Sequence, residues 1–256
     1  MTDQKAVNDK IAYILDITEM LLSNGADVNR VEDTAMRLSA AFDFRDCHVH
    51  AINSSIIMTV KAPDDSIVTQ ARRIRRIDTD LNKVDELNTL SRGICSGEVP
   101  PERIPAEMER IRNISPYSPV LIYLAYAISA GFFTLLFGGT WQDMLCSVPI
   151  ALAIRFVKVR LNRFNENKMV DNIILSALLT VMALSGQKMF PSLNSDMVII
   201  GDIMLLIPGL AFCNSIYDMV MGDTISGMLS MADAVLRALS IAIGYAAVWA
   251  VMGRFL

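Results

Sequence analysis

One apolar stretch, Val198–Arg237, constrains what this chain can fold into more than any other feature. It is long enough to enter a membrane, yet it contains four aspartates, one arginine and a Pro208-Gly209 pair. Ionisable side chains cost about 2.5–3.5 kcal/mol each at the centre of a lipid-embedded helix, so they usually face a partner or an aqueous path. Proline removes a backbone donor and glycine tolerates unusual dihedrals, so the pair predicts an interrupted helix. Interrupted membrane helices are typical of transporters, because their freed backbone groups can contact a ligand.

The other charges divide the chain into two parts. Residues 1–117 hold 34 charged side chains, whereas residues 118–256 hold only 16. Hydrophobic residues make up 53% of the chain and the mean hydropathy is +0.40, which is high for a soluble protein. We therefore predict an α+β soluble domain over residues 1–115, followed by an all-α membrane domain over residues 116–256. The net charge of −4 disfavours a general nucleic-acid binder.

The soluble part shows a change of hydrophobic period. Apolar residues at helical spacing predict two helices, the second of which begins near Asn29 with Glu32 in a capping-box position. Three strand-like runs follow, Arg45–Asn53, Ser55–Lys61 and Ser66–Ile74, and helices over Asp80–Ile94 and after Pro100-Pro101 complete the domain. The predicted order is therefore helix, helix, three strands, helix, helix.

Two groups of residues in this domain invite a functional interpretation. His48 and His50 share one face of a strand, but the chain has no third histidine, so a surface strand is favoured over a metal site. The basic run contains Arg72, Arg73, Arg75 and Arg76, and it is typical of a solvated face or of a patch on anionic lipid. The four cysteines are scattered, so neither a disulfide framework nor a zinc site is expected.

Five membrane spans are expected after residue 115: Ser118–Phe137, Met144–Val157, Asn172–Gln187, Val198–Ser215 and Met228–Met252. The loop Arg155–Lys168 holds five basic residues and one acidic residue, which predicts a cytoplasmic position. By the same count, the N-terminal domain and Tyr217–Asp223 lie in the cytoplasm and Arg254 lies outside. Residues 1–10 are polar, and no secretory signal is expected there.

Asp202 is the most notable acidic residue, because apolar residues flank it on both sides. It is either a proton-carrying group in the membrane or a hydrated group at the outer interface. Asp233 and Arg237 are four residues apart, so they form either a structural ion pair on one helix face or a functional contact. Asp218 and Asp223 can be read as hydrated loop residues, and that interpretation is stronger for them than for Asp202.

The chain resembles the threonine/serine exporter family. The resemblance rests on L-L-S-N-G-A-D-V-N-R-V-E (Leu21–Glu32) and on the later segments L-I-P-G-L, N-S-I-Y-D, G-D-T-I-S-G and A-D-A. The order and spacing of Pro208, Gly209, Asn214, Asp218, Gly222, Asp223, Gly227 and Asp233 make it fairly specific. The chain stops at Leu256 after about five expected spans, so it resembles the larger subunit of the split form, whose members include succinate exporter subunits.

The resemblance implies export of threonine, serine or a C4-dicarboxylate such as succinate across the inner membrane. It implies a secondary-active transporter, with a small five-helix membrane partner and no cofactor. We expect proton coupling, contact with membrane lipid, and a homo-oligomer as one arrangement of the assembly. The expected substrate and proton pathway contains ten residues: Asp202, Pro208, Gly209, Asn214, Asp218, Gly222, Asp223, Gly227, Asp233 and Arg237. The alternatives are a membrane-anchored enzyme, with its site around His48, His50 and Asp65, and a ligand sensor.

Overall fold

The computed structural model describes residues 2–75, 77–115, 117–164 and 167–253, and it gives no side-chain placement for residues 2–6, 163 and 164. Arg76, Glu166, Arg254 and the side chain of Arg163, which entered the expectations above, lie outside this description. The chain forms two compact units. The N-terminal unit contains Met1–Ser115 and Cys213–Met231, and the helical unit contains Pro116–Phe212 and Ala232–Leu256. The sequence had placed residues 213–231 with the membrane helices.

The N-terminal unit has the predicted order of elements. Two helices, three strands and two further helices follow one another: α1 (Thr2–Ser23), α2 (Val28–Ala41), β1 (Arg45–Ile52), β2 (Ser55–Lys61), β3 (Ile67–Arg73), α3 (Leu81–Cys95) and α4 (Ile104–Arg112). The strands form one antiparallel sheet in the order β1-β2-β3. In the central strand, Ile56, Met58 and Val60 are fully buried and alternate with more exposed residues, as expected for a sheet with one face on the core.

Helix α2 begins differently from the sequence prediction. Asp27 is the N-cap, and its carboxylate accepts a hydrogen bond from the Arg30 N–H at 2.8 Å. Glu32 does not complete a capping box, because its carboxylate accepts from the Ala51 N–H of β1 at 2.7 Å. The start of α2 at Val28 agrees with the expected start near Asn29, but the expected capping box was wrong, because Asp27 is the N-cap and Glu32 fixes α2 to the sheet.

The helical unit is built from long apolar helices. Its elements are α5 (Pro119–Leu136), α6 (Trp141–Phe164), α7 (Lys168–Met189), α8 (Ser195–Ile203), α9 (Gly209–Val220) and α10 (Thr224–Met252), of which α9 and α10 each have part of their length in the N-terminal unit. Three of them, α5, α7 and α10, are long and apolar enough to cross a membrane. Apolar side chains such as Leu136, 73% exposed, cover the outside of α5, as expected for a lipid-facing helix.

The count of five spans is not confirmed. Helix α6 has 24 residues, but Asp143, Arg155 and Lys158 reduce its apolar character. Helix α8 has only nine residues, which is about 14 Å of helix and less than half of a bilayer core. The described helices therefore support a multi-pass membrane protein with three helices long and apolar enough to span, and five spans remain a prediction.

Candidate functional site

Asp202 lies in the core of the helical unit. Its residue is 0% exposed, and Ser147 of α6, also fully buried, donates a hydrogen bond from Oγ to Asp202 Oδ1 at 3.3 Å. Among the described residues, Asp202 Oδ2 has no hydrogen-bond partner. The alternative of a hydrated carboxylate at the interface does not fit this burial. Ser147 could not be identified from the sequence as a partner of Asp202, because no local pattern links two residues that lie 55 positions apart.

Close packing holds α8 against α5. A Cβ on Gly201 would overlap the backbone and side chain of Thr134, so only glycine lets the two helices approach this closely. The start of α8 is fixed as well. The Asn194 side chain caps its first turn, and the Asn194 N–H donates to Asp143 Oδ1 at 2.7 Å. Asp202 is therefore positioned by helices held at both ends.

The predicted interruption is present after Asp202. Helix α8 ends at Ile203 and α9 begins at Gly209, with Pro208 between them. The Gly209 N–H donates to the Ile207 carbonyl at 2.9 Å, which forms a tight turn rather than a continuous helix. A Cβ on Gly209 would contact nothing within 4 Å, so this glycine is not required for close packing.

Asp218 lies in the N-terminal unit and is buried there. Its residue is 3% exposed, and its carboxylate accepts a hydrogen bond from the Val28 N–H, the first residue of α2. Its Oδ1 atom has no hydrogen-bond partner among the described residues. Burial and the nearby carboxylates of Asp27 and Asp223 raise the pKa of Asp218 to about 6. The expectation of a hydrated loop residue does not fit this position.

The Asp218 neighbourhood contains a fourth carboxylate. Burial raises the pKa of Glu32, and Asp223 raises it further. One Asp223 oxygen is also buried without a hydrogen-bond partner in the described part of the chain. The segments Leu21–Glu32 and 214–227, which carried the family resemblance and lie almost 190 residues apart, therefore meet in one unit. Sequence spacing gave no signal of this contact.

The glycines near Asp218 shape the connection from α9 to α10. Gly222 has φ of +104°, a left-handed conformation that other residues rarely adopt. Gly227 lies against Ser215 and Met219 of α9, and a Cβ there would come within 2.7 Å of the Ser215 carbonyl oxygen. Asn214 is half-buried in α9. The glycines thus have a conformational role and bring no functional group of their own.

Asp233 and Arg237 form the ion pair that their spacing predicts. Arg237 Nη2 lies 2.5 Å from Asp233 Oδ2 on one face of α10, and both side chains are partly exposed. The expected pathway residues are therefore divided between the units. Asp202, Pro208, Gly209, Asp233 and Arg237 belong to the helical unit, and Asn214, Asp218, Gly222, Asp223 and Gly227 belong to the N-terminal unit.

The structure places the two histidines on the surface of the sheet and part of the basic run against α1. His48 and His50 are exposed on β1, and the described residues contain no group of three or more His, Cys, Asp or Glu side chains that could hold a metal ion. Arg72 lies 3.5 Å from Asp16 and 3.9 Å from Glu19, both on α1. Part of the run thus fixes β3 to α1, whereas Arg73 and Arg75 are exposed.

Comparison with known proteins identifies relatives over nearly the whole chain. A family model described as "Putative threonine/serine exporter" matches residues 12–252. A "Probable threonine/serine exporter" of Mycobacterium tuberculosis is 27% identical over 239 residues, which covers 90% of this chain and 45% of the relative. A "Threonine/serine exporter" of Corynebacterium glutamicum is 23% identical over 92% of this chain and 50% of its own length. The chain thus spans about half the length of the curated relatives that it matches. No solved structure matches it.

Proposed function

The chain belongs to the threonine/serine exporter family, and on that premise we propose that it exports small polar metabolites from the cytoplasm as a subunit of a secondary-active transporter. The substrate is an amino acid of the threonine/serine type or a C4-dicarboxylate such as succinate. The first is supported by the names of the relatives, and the second by the earlier resemblance to split members of the family. Because the chain belongs to a family of exporters, transport is favoured over the alternatives of a membrane-anchored enzyme and a ligand sensor.

Asp202 is the observation that carries the proposal. A carboxylate that is fully buried among apolar helices, with one oxygen unsatisfied, is costly unless it binds something. A proton is the simplest ligand for that oxygen. Access from alternate sides of the membrane would let Asp202 take up a proton on one side and release it on the other, and this would couple export to the proton gradient.

The chain spans about half the length of the relatives that it matches. We propose that it works with a small membrane-protein partner, as its resemblance to split members of the family implies, within an assembly that can contain several copies of this chain. The protein lies in the inner membrane with its N-terminal unit in the cytoplasm, on the side of the basic C-terminal part of α6. The expected basic loop Arg155–Lys168 is mostly helical, because α6 continues to Phe164.

The test compares Asp202→Asn with Asp196→Asn, an exposed aspartate in the first turn of the same helix. Each variant is co-expressed with its partner and measured in inverted vesicles with labelled threonine and succinate. Asn keeps the size of Asp202 but cannot titrate. We expect Asp202→Asn to lose transport driven by a pH gradient and to keep substrate exchange at equal pH, whereas Asp196→Asn behaves as wild type.

Two outcomes would contradict the proposal. Transport by Asp202→Asn with the wild-type pH dependence would remove Asp202 from coupling. Full activity of this polypeptide reconstituted alone would remove the need for a partner.

A further inference from the structure

Two cations of α6 lie on one aromatic ring of α5. The Arg155 guanidinium carbon is 5.5 Å from the centroid of the Tyr126 ring, and Lys158 Nζ is 5.9 Å from it. Lys158 also donates a hydrogen bond to the Tyr126 hydroxyl at 3.3 Å. All three residues are half-buried. The ring therefore holds both cations in fixed positions, since its face attracts positive charge.

The positive charges have no counter-ion in the described part of the chain. Neither Arg155 nor Lys158 has a carboxylate within ion-pair distance there, and Arg155 Nε is buried without a hydrogen-bond partner. A buried guanidinium donor normally has an acceptor, because leaving it unsatisfied costs free energy. The described residues therefore supply no acceptor for this donor.

The position of the cations is unusual for residues that only reach toward lipid headgroups. Tyr126 lies seven residues after Pro119, which is about 10 Å along a helix able to cross a membrane. Long basic side chains near a helix end usually extend to the interface. Arg155 instead keeps its guanidinium over a ring part of the way into the span. Ionisable groups held at such a depth mark ligand pathways more often than anchors.

The available donors match a carboxylate. The guanidinium edge can form two parallel hydrogen bonds with a carboxylate, and the ammonium adds a third charged donor. Because lysine can only donate, the Tyr126 oxygen accepts from Lys158 and its own O–H remains able to donate. The two cations and the Tyr126 hydroxyl can thus all donate hydrogen bonds to a single anionic group.

The same side of α6 carries the partner of Asp202. Ser147, Ala151 and Arg155 recur every four residues, so they form one row along the helix. Ser147 and Ala151 are fully buried, and Ser147 binds Asp202. Arg155 lies eight residues from Ser147, or about 12 Å along the axis. A small residue, Ala151, separates the two polar positions.

We propose that Arg155, Lys158 and Tyr126 bind the carboxylate group of the exported metabolite, at a position along α6 that precedes Asp202 on the export path. This inference rests on the proposed export function and adds a substrate contact to it. Lipid phosphate offers the same anionic oxygens, and the experiment separates the two sources.

The experiment compares Arg155→Gln with Arg160→Gln. Arg160 is a matched control, because it also lies over an aromatic ring of α6, that of Phe156 at 5.0 Å, but it is exposed. Export is measured with the partner present over a range of threonine and succinate concentrations. We expect Arg155→Gln to raise the half-saturating concentration at least tenfold, Arg155→Lys and Tyr126→Phe to raise it less, and Arg160→Gln to leave it unchanged. Equal values for Arg155→Gln and Arg160→Gln would overturn the inference.

A binding measurement on the purified full-length chain separates the remaining outcomes. Succinate and threonine should raise the thermal midpoint of the wild type but not of Arg155→Gln. This result supports the site even if the wild type exports neither compound, so the site and the proposed function can fail separately. A wild type that neither compound stabilises would overturn the site. Loss in Arg155→Gln of stabilisation by phosphatidylglycerol nanodiscs, with unchanged substrate affinity, would assign the site to lipid and also overturn it.

Discussion

Asp218 gives the prediction whose size can be worked out most directly. Its pKa rises from 3.8 to about 6 in the folded chain, because burial and the carboxylates of Asp27 and Asp223 disfavour the charged form. A pKa shift of one unit corresponds to about 1.36 kcal/mol. The shift from 3.8 to about 6 therefore means that ionisation of Asp218 lowers the stability of the folded unit by up to about 3 kcal/mol. Asp218→Asn removes this cost and keeps an oxygen that can accept from the Val28 N–H. The weaker hydrogen bond to a neutral acceptor reduces the gain by about 1 kcal/mol.

The sign of the effect depends on pH. Well below pH 3.8, Asp218 is neutral in the folded and unfolded states, so wild type and Asp218→Asn should be nearly equal in stability. Between pH 3.8 and 6 the unfolded chain ionises while the folded carboxyl stays neutral, so the wild type loses stability that the variant keeps, and above pH 6 the difference stays constant. We expect Asp218→Asn to be more stable than wild type by about 1–2 kcal/mol at pH 7.5, with a difference that shrinks as the pH falls below 6 toward 3.

Amide hydrogen exchange at Val28 is the most direct assay, because this N–H is the donor to Asp218. In the full-length chain, exchange at residues 28–30 and 213–231 should be about 5- to 30-fold slower in Asp218→Asn than in wild type at pH 7.5, since 1.4 kcal/mol is a factor of ten. The control is Asp85→Asn, an exposed aspartate of α3 in the same unit. Faster exchange in Asp218→Asn at pH 7.5 would show that the charged carboxylate stabilises α2, and it would refute the reasoning.

Three further predictions concern other parts of the chain. Gly201→Ala should lower the stability of the purified protein by about 1–3 kcal/mol in thermal unfolding, because its Cβ overlaps α5, whereas Gly209→Ala should have little effect; equal midpoints would refute the packing argument. The double change His48→Ala, His50→Ala should leave export rates close to wild type, and a loss of export with normal membrane insertion would favour a site on the sheet. A single cysteine at Arg45, in a background without the native cysteines, should resist impermeant reagents added outside the cell, and labelling there would reverse the proposed topology.

The secondary structure of the N-terminal unit could be predicted because it depends on local patterns. The β-branched residues of β2 indicated a strand, and its predicted bounds, Ser55–Lys61, are those of the structure. The capping box of α2 was mispredicted because Glu32 had two candidate partners. The sequence shows only the local one, whereas the structure pairs Glu32 with the Ala51 N–H of the sheet.

The candidate site could be predicted residue by residue but not as an arrangement. Asp202 stood out because it interrupts an apolar run, and the structure buries it completely. Ser147 and Val28 could not be identified, since a hydrogen bond across 55 or 190 residues leaves no periodic trace in the sequence. The number of spans also stayed open, because basic residues in α6 and the short α8 weaken the hydropathy signal on which span prediction depends.

The return of residues 213–231 to the N-terminal unit has a consequence for how this family can be dissected and recombined. A fragment ending at residue 115 would lack the carboxylate that binds the Val28 N–H and the Ser230 hydroxyl that accepts from Asn53. Such a fragment would expose the surface that these residues cover, and its behaviour in isolation would misrepresent the unit. A chimaera that exchanges N-terminal domains between two relatives would have to exchange the α9–α10 connection with them. The N-terminal domain and residues 213–231 therefore have to be exchanged together, although only the first looks like part of the domain in the sequence.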